Sequence, residues 1–429
     1  MVRASRSSRR WRLIAVFVSV IALGAAAGCT GTTQWRSPDG ASTDGPASAP
    51  GASQLVLSPA ADAKDVSPVD PVTAELTGGG TLETVSLTNP DGRVVQGEFD
   101  ASKTSWKNTE ELGYNRKYKL QVVGTGADGQ RHEESRSFTT VKPNNYTLPY
   151  LRANVATLLD GGTFGVGQPI VVWFDEPIKD KKTAEQSLLV TTEPVVEGAW
   201  RWMDNREVHW RPKVYWPAGT KVTVEAKVYG KNLGDGLFGQ EDRKASFTIG
   251  PSKIAVADSK THRMKVWIDG KLITKINGVD TTLGIPISMG KGGQETGANG
   301  QVIDFTTHSG PHVVTTKHEV YRMTSASFGI TDKDSPNYYD EKIKKSIRIS
   351  GSGEFVHLAD WNIWAHGKVN TSHGCINVAP TYIYWFYDTF GAGDIVDVRN
   401  TGLMLPVRDG LGDWVMPWDQ WVKGSALAS

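Results

Sequence analysis

Between residues 55 and 250 the chain is written in short alternating runs separated by turn residues, and this pattern leaves few folds open. The first stretch, about 55–143, carries "QLVLSP", "VTAELT", "TVSLTN", "RVVQGEF" and "KYKLQVVG" and closes on "RSFTTV". The second, about 146–250, repeats the scheme with "PIVVWFDEP", "SLLVTTEP", "EVHWRPK", "KVTVEAKVYG" and "KASFTIG". A period of two puts alternate side chains on opposite faces of a strand. Several such strands in roughly 100 residues predict a small β-sandwich of immunoglobulin type. The matched endings "SFTT" and "SFTI", and the pairs "GEF…SW" and "GAW…VHW", predict a duplicated module. Neither module gathers a convergent set of polar residues, so both read as spacer or docking domains.

After Ser252 the texture changes but stays predominantly β. "KIAVADSKTHRMKVWIDGKLITKI" reads as strand, turn, strand, with Asp269 to Lys271 as the hairpin turn. "ISMGKGGQETGANGQVI" is a glycine-rich loop without the spacing of a phosphate-binding loop. A helix is expected near Pro380 to Phe390, then a last strand, Gly393 to Asn400. In the tail Trp414, Trp418 and Trp421 fall on one face of a short helix that Pro417 would start, and should pin the tail to the preceding domains.

The N-terminus bears on the cysteine count. Five arginines (Arg3, Arg6, Arg9, Arg10 and Arg12) precede the apolar run Leu13 to Cys29, the layout of a secretory signal. "AAGC", Ala26 to Cys29, resembles a bacterial lipobox, with alanine where leucine is usual. It implies cleavage before Cys29 and lipidation of its thiol. Residues 30–54, rich in Gly, Ser, Pro, Ala and Thr, predict a flexible tether. Setting the five arginines aside leaves 42 basic against 46 acidic side chains, so no basic field argues for nucleic acid. Cys375, the other of two cysteines, is then left without a disulfide partner in an exported protein, and a lone thiol there suggests that its chemistry is used.

That thiol lies in "TSHGCIN", Thr371 to Asn377. Cysteine acyl transfer needs a thiol, a base for its proton and donors for a developing oxyanion. His357 ends the strand-like run "EFVHL" eighteen residues upstream, and Gly374 permits a tight turn with consecutive N–H groups. Zinc held by His357, His366, His373 and Cys375 is the metal alternative, but the spacing fits no usual site. Sortases are argued against because no TLxTC-like strand surrounds Cys375. NlpC/P60 peptidases place cysteine before histidine.

"HLADWNIWAHGKVNTSHGCINVAP" resembles the active-site signature of the L,D-transpeptidases, the YkuD domain. "ISMGKGG", "SGSGEFVH", "WFYDTFGAGDIVDV" and "GLGDWVMPWDQW" extend the resemblance to the mycobacterial members, over nearly all of residues 55–429. The resemblance implies a mainly β chain: a signal (1–28), a lipidated tether (29–54), immunoglobulin-like domains at 55–143 and 146–250, a β-sandwich catalytic domain with one or two short helices at 252–400, and a Trp-rich tail at 401–429. It implies a cysteine acyltransferase that needs no metal or cofactor. The enzyme would attack the third residue of a peptidoglycan stem tetrapeptide, release D-alanine and pass the acyl group to a second stem, forming a 3→3 diaminopimelate crosslink. Cys375 would be the nucleophile and His357 the base, with the N–H groups of Gly374 and Cys375 and the Tyr339 hydroxyl around the oxyanion. His373 belongs to the motif, and Ser352, Gly353, Ser372 and Asn377 match substrate-contacting positions. Donor and acceptor stems are the expected partners, with carbapenem-type β-lactams as covalent inhibitors. The expected place is the outer face of the cytoplasmic membrane, held by the lipid on Cys29. An L,D-carboxypeptidase on the same stems and a non-catalytic wall-binding scaffold are the alternatives. The chain departs from the pattern at Leu358, where related enzymes have serine, at Phe328 in place of tyrosine, at His366, and at "HSGP" (His308 to Pro311), which reads as an extra loop.

Overall fold

The computed structural model describes residues 52–428, and within them the chain is mostly strand. Cys29, the expected signal and nearly all of the expected tether lie outside the described residues. Among the described residues no helix is long and apolar enough to cross a membrane.

The first module pairs two four-stranded sheets. One runs Gln54–Ser58, Thr73–Thr77, Ser105–Asn108, Gly97–Phe99, and the other Val94–Val95, Gly80–Thr88, Lys117–Gly126, Arg131–Thr139. Their inward faces bury Leu57, Leu76, Trp106, Leu120, Val122 and Phe138, the alternating apolar positions of those runs. The second module packs a five-stranded sheet centred on Ile170–Phe174 against a four-stranded sheet that includes Lys221–Ala226 and Arg243–Ile249. Its core gathers Trp200, Trp210, Trp216, Val222 and Phe247.

The duplication is visible in one cross-strand device. Phe99 lies opposite Trp106 in the first module, and Trp200 opposite Trp210 in the second. Two residues before each, Gly97 and Gly198 lie under the indole, and a Cβ at either would collide with the Trp ring. A large ring laid flat over a glycine fills the sandwich edge without a void.

Residues 253–399 build a ten-stranded curled sheet. Its order is Gly310–Val313, Ile395–Arg399, Lys253–Asp258, Arg263–Ile268, Ile285–Ser288, Ile376–Val378, Phe355–Leu358, Asp340–Arg348, Thr316–Thr324, with Lys271–Leu272 paired beside Arg263–Ile268. The expected hairpin turn forms, with Asp269 and Gly270 both at positive φ, as a tight two-residue turn requires. "HSGP" is not an appended loop: Gly310–Val313 pairs antiparallel with Ile395–Arg399. Its apolar content was too short to announce a strand. The helix Pro380–Thr389 starts on proline and buries Tyr382, Ile383, Phe386 and Tyr387 against the sheet.

The second module meets this sheet through backbone. Gly165 and Gly167 N–H groups donate to the carbonyls of Ala392 and Gly393 at 2.9 and 2.8 Å, and a Cβ at Gly165 would strike Asp394. The tail completes the junction. It is two short turns, Gly412–Val415 and Trp418–Trp421, with Met416 extended between them and Pro417 as cap, rather than one helix. The three indoles still converge, because Arg211 of the second module lies 4.7, 5.4 and 4.6 Å from the rings of Trp414, Trp418 and Trp421. Trp414 and Trp421 donate their indole N–H to Gly167 O and Ala199 O at 2.7 and 2.9 Å.

Candidate active site

Two short strands bring the expected pair together. Phe355–Leu358 and Ile376–Val378 run parallel, with His357 opposite Asn377. Side chains alternate along a strand, so His357, Asn377 and Cys375, two residues before Asn377, share a face. That face is the wall of a cleft of about 430 Å³, which Tyr339, Trp361, Ser372 and His373 also line.

The turn before the strand is shaped by Ser372 and Gly374. Ser372 Oγ donates to Cys375 O at 2.6 Å and accepts Gly374 N–H at 3.2 Å. Gly374 has φ +127°, outside the range of L side chains, while a Cβ there would meet nothing nearer than Glu354 Cγ at 4.0 Å. Backbone conformation, not space, requires the glycine. Cys375 N–H meets no acceptor among the described residues, whereas Gly374 N–H is already held. The thiol lies 3.8 Å from Gly353 O.

His357 is buried, and its Nδ1 lies 2.8 Å from Leu358 O. A carbonyl only accepts, so Nδ1 carries the proton and Nε2 keeps its lone pair. The orienting partner is thus backbone, and leucine at 358 costs the site nothing. Burial pushes the imidazole down to about 4, against the Leu358 carbonyl, which favours the charged form. Burial pushes the Cys375 thiol up to about 12; the Phe355 N–H and Arg348 oppose this, and Glu354 adds to it. The pair therefore rests as neutral thiol and neutral imidazole.

The remaining expected residues divide. Tyr339 lines the cleft, and burial followed by the proximity of Cys375 raises its phenol well above the usual range, so it stays a hydrogen-bond donor. Asn377 Oδ1 is buried without a partner among the described residues. His373 lines the cleft but spends Nε2 on Asn337 Oδ1 at 3.1 Å and lies 3.3 Å from Lys291 Nζ. Burial and then Lys291 hold it down to about 4. It ties the segment around Asn337 to the cysteine turn. Ser352 does not line the cleft: its hydroxyl donates to Asp409 at 2.7 Å, tying the strand to the tail. Gly353 meets the site only through its carbonyl.

Of the four candidate zinc ligands, His366 and His373 turn to other partners, the latter to Asn337. His366 Nε2 turns to Asn362 at 3.1 Å, and no three His, Cys, Asp or Glu side chains cluster as metal ligands among the described residues.

Sequence reasoning missed three features. Trp361 stacks on His357 at 6.0 Å, and Glu341 is the one carboxylate in the wall. Beneath the cysteine turn, buried Glu354 accepts from the N–H and Nδ1 of His308 at 2.8 and 2.9 Å and meets His312 Nε2 at 3.0 Å. Thr307, beside His308, donates to Gly374 O at 2.7 Å. The presence of a charged residue in the apolar run "EFVHL" and two histidines in "HSGPH" was the available signal.

The family model described as the L,D-transpeptidase catalytic domain matches residues 252–398, and that of a bacterial Ig domain matches residues 63–232. L,D-transpeptidase 2 of Mycobacterium tuberculosis is 40% identical, over 84% of this chain and 82% of its own length. L,D-transpeptidase 5 of the same species is 35% identical, over 88% of this chain and 78% of its own. A solved structure of the L,D-transpeptidase LdtMt1 in complex with imipenem is 26% identical and covers 58% of this chain and 99% of its own, with a TM-score of 0.45. On the family match and these two relatives, the chain belongs to the L,D-transpeptidases and is an acyltransferase of peptidoglycan crosslinking.

Proposed function

We propose that Cys375 is the nucleophile and His357 the base of this transpeptidation. One observation carries the assignment: His357 donates Nδ1–H to a backbone carbonyl, leaving an unprotonated Nε2 on the strand face that Cys375 shares. As Sγ attacks the carbonyl of the third stem residue, Nε2 takes the thiol proton, because a buried neutral pair favours transfer only when the substrate arrives. Cys375 N–H and the Tyr339 hydroxyl supply the oxyanion donors. His357 then gives the proton to the departing D-alanine amine, leaving a thioester. An amine of a second stem attacks it, and the thiol is restored. Asn377 Oδ1 is an acceptor for a substrate N–H.

A carbapenem, which presents a strained carbonyl to the same thiol, is a covalent ligand of Cys375 on this reading; the imipenem complex of LdtMt1 supports it by likeness of family. Export and lipidation at Cys29 complete the proposal and rest on the sequence of residues 1–29.

The full-length chain, given disaccharide tetrapeptide, should produce crosslinked dimer and free D-alanine. Cys375→Ala should produce neither, and His357→Ala should slow acylation by about two to four orders of magnitude, the usual weight of a general base. Cys375→Ala reacting as wild type would end the assignment.

A further inference from the structure

The cleft wall carries one full charge, and the strand that presents it is bent to do so. Along Asp340–Arg348, Ile343 packs with Met323 and Phe355 beside Cys375, whereas Ile347 enters the main core of the sheet. Residues four apart in a regular strand share a face. Between these two, Lys345 is left-handed at φ +51°, and the alternation reverses across it. The upstream half of the strand is thereby turned to the cleft, where Tyr339, Glu341 and Ile343 all line the wall.

Four neighbouring carboxylates are occupied. Asp340 pairs with Arg322 at 2.6 Å and Glu319 with Lys345 at 2.7 Å. Glu295 accepts from Ser335 and Asn337, and Glu354 is bonded to His308 and His312. Glu341 is exposed and has no ion-pair or hydrogen-bond partner among the described residues. Among the described residues no lysine or arginine lines the cleft, and its two histidines are held neutral.

We propose that Glu341 is the binding group for the ammonium of the acyl acceptor, which rests on the reading of Cys375 as the thioester-forming nucleophile. The chemistry demands such a cation. Turning a thioester into an amide needs an amine, and an alkyl amine arrives at neutral pH as an ammonium. A carboxylate at the open rim raises the local concentration of that cation. One proton is then lost to solvent. The free amine forms the C–N bond as the C–S bond breaks, and His357 carries the second proton from nitrogen to sulfur.

The test uses the full-length chain and separates the two half-reactions. Acylation is followed by intact mass with a disaccharide tetrapeptide whose side-chain amine is acetylated, so that it serves only as donor. Transfer is followed with a stem tripeptide bearing a free side-chain amine, titrated at saturating donor. In Glu341→Gln the acceptor KM should rise about two- to fivefold, the range of a rim ion pair, with its salt dependence flattened, while Cys375 acylates at the wild-type rate. Glu341→Asp should recover part of the loss. An unchanged acceptor KM in Glu341→Gln overturns the proposal. Slowed acylation with an unchanged acceptor KM also overturns it and assigns the carboxylate to the donor. Failure of wild-type Cys375 to acylate removes the underlying reading, and this inference with it.

Discussion

At the scale of single residues the site is set by burial acting on two groups in opposite directions. It holds the His357 imidazole down to about 4 and the Cys375 thiol up to about 12. A raised thiol pKa disfavours thiolate, and a lowered imidazole pKa disfavours imidazolium, so both shifts favour the uncharged pair across the neutral range. Alkylation of Cys375 by iodoacetamide should therefore be slow at pH 7 and climb with pH beyond 9. A fast plateau between pH 5 and 7 would reveal a resting ion pair and contradict the geometry. The proposed pair, Cys375 and His357, stands out in the sequence because a lone thiol, a glycine and a distant histidine are unusual together. Glu354 and Glu341 do not, because one depends on histidines 42 and 46 positions away and the other on a left-handed residue that reverses a strand's faces.

At the scale of elements, alternation announced most strands but not their partners. The parallel pairing of Phe355–Leu358 with Ile376–Val378, which places His357 beside the cysteine turn, links runs that the sequence separates by seventeen residues. The tail shows the same limit. Its tryptophans read as one helical face, whereas two turns wrap a guanidinium and bury a charge pair. His209 Nδ1 meets Asp413 at 2.7 Å and Nε2 meets Glu207 at 2.9 Å. Burial opposes a charge on this imidazole, but Asp413 and Glu207 outweigh it and raise it to about 10. Its folded pKa lies above the unfolded value of 6.5, so the tail's docking is fully supported below about pH 6.5 and weakens as pH rises through 10. Hydrogen exchange of residues 411–424 should accelerate between pH 9 and 10.5, beyond the chemical pH dependence, in wild type. His209→Phe should exchange faster already at pH 6, because buried Asp413 loses its partner, a loss of about 3–5 kcal/mol. Equal exchange in the two proteins at pH 6 would show that the pair does not hold the tail.

At the scale of the whole molecule, two sandwiches, a curled sheet and a wrapped tail share backbone contacts that fix the second module against the catalytic sheet. The duplicated sandwiches were legible because each repeats the same glycine-under-tryptophan device. Their junction with the curled sheet was not, since it is written in glycines that only a close approach explains. The proposed lipidation of Cys29 is open to a direct test. Radiolabelled palmitate should enter the wild-type protein and be absent from Cys29→Ala; label retained in that variant would refute the anchor. The central claim is that Cys375, deprotonated by His357, carries the acyl group. Intact mass of the full-length protein after mixing with disaccharide tetrapeptide tests it most directly. The account predicts a mass gain equal to the donor less D-alanine, mapped to Cys375 and absent in Cys375→Ala. A gain of the same mass in Cys375→Ala, or crosslinked product formed without any covalent species on Cys375, would contradict it.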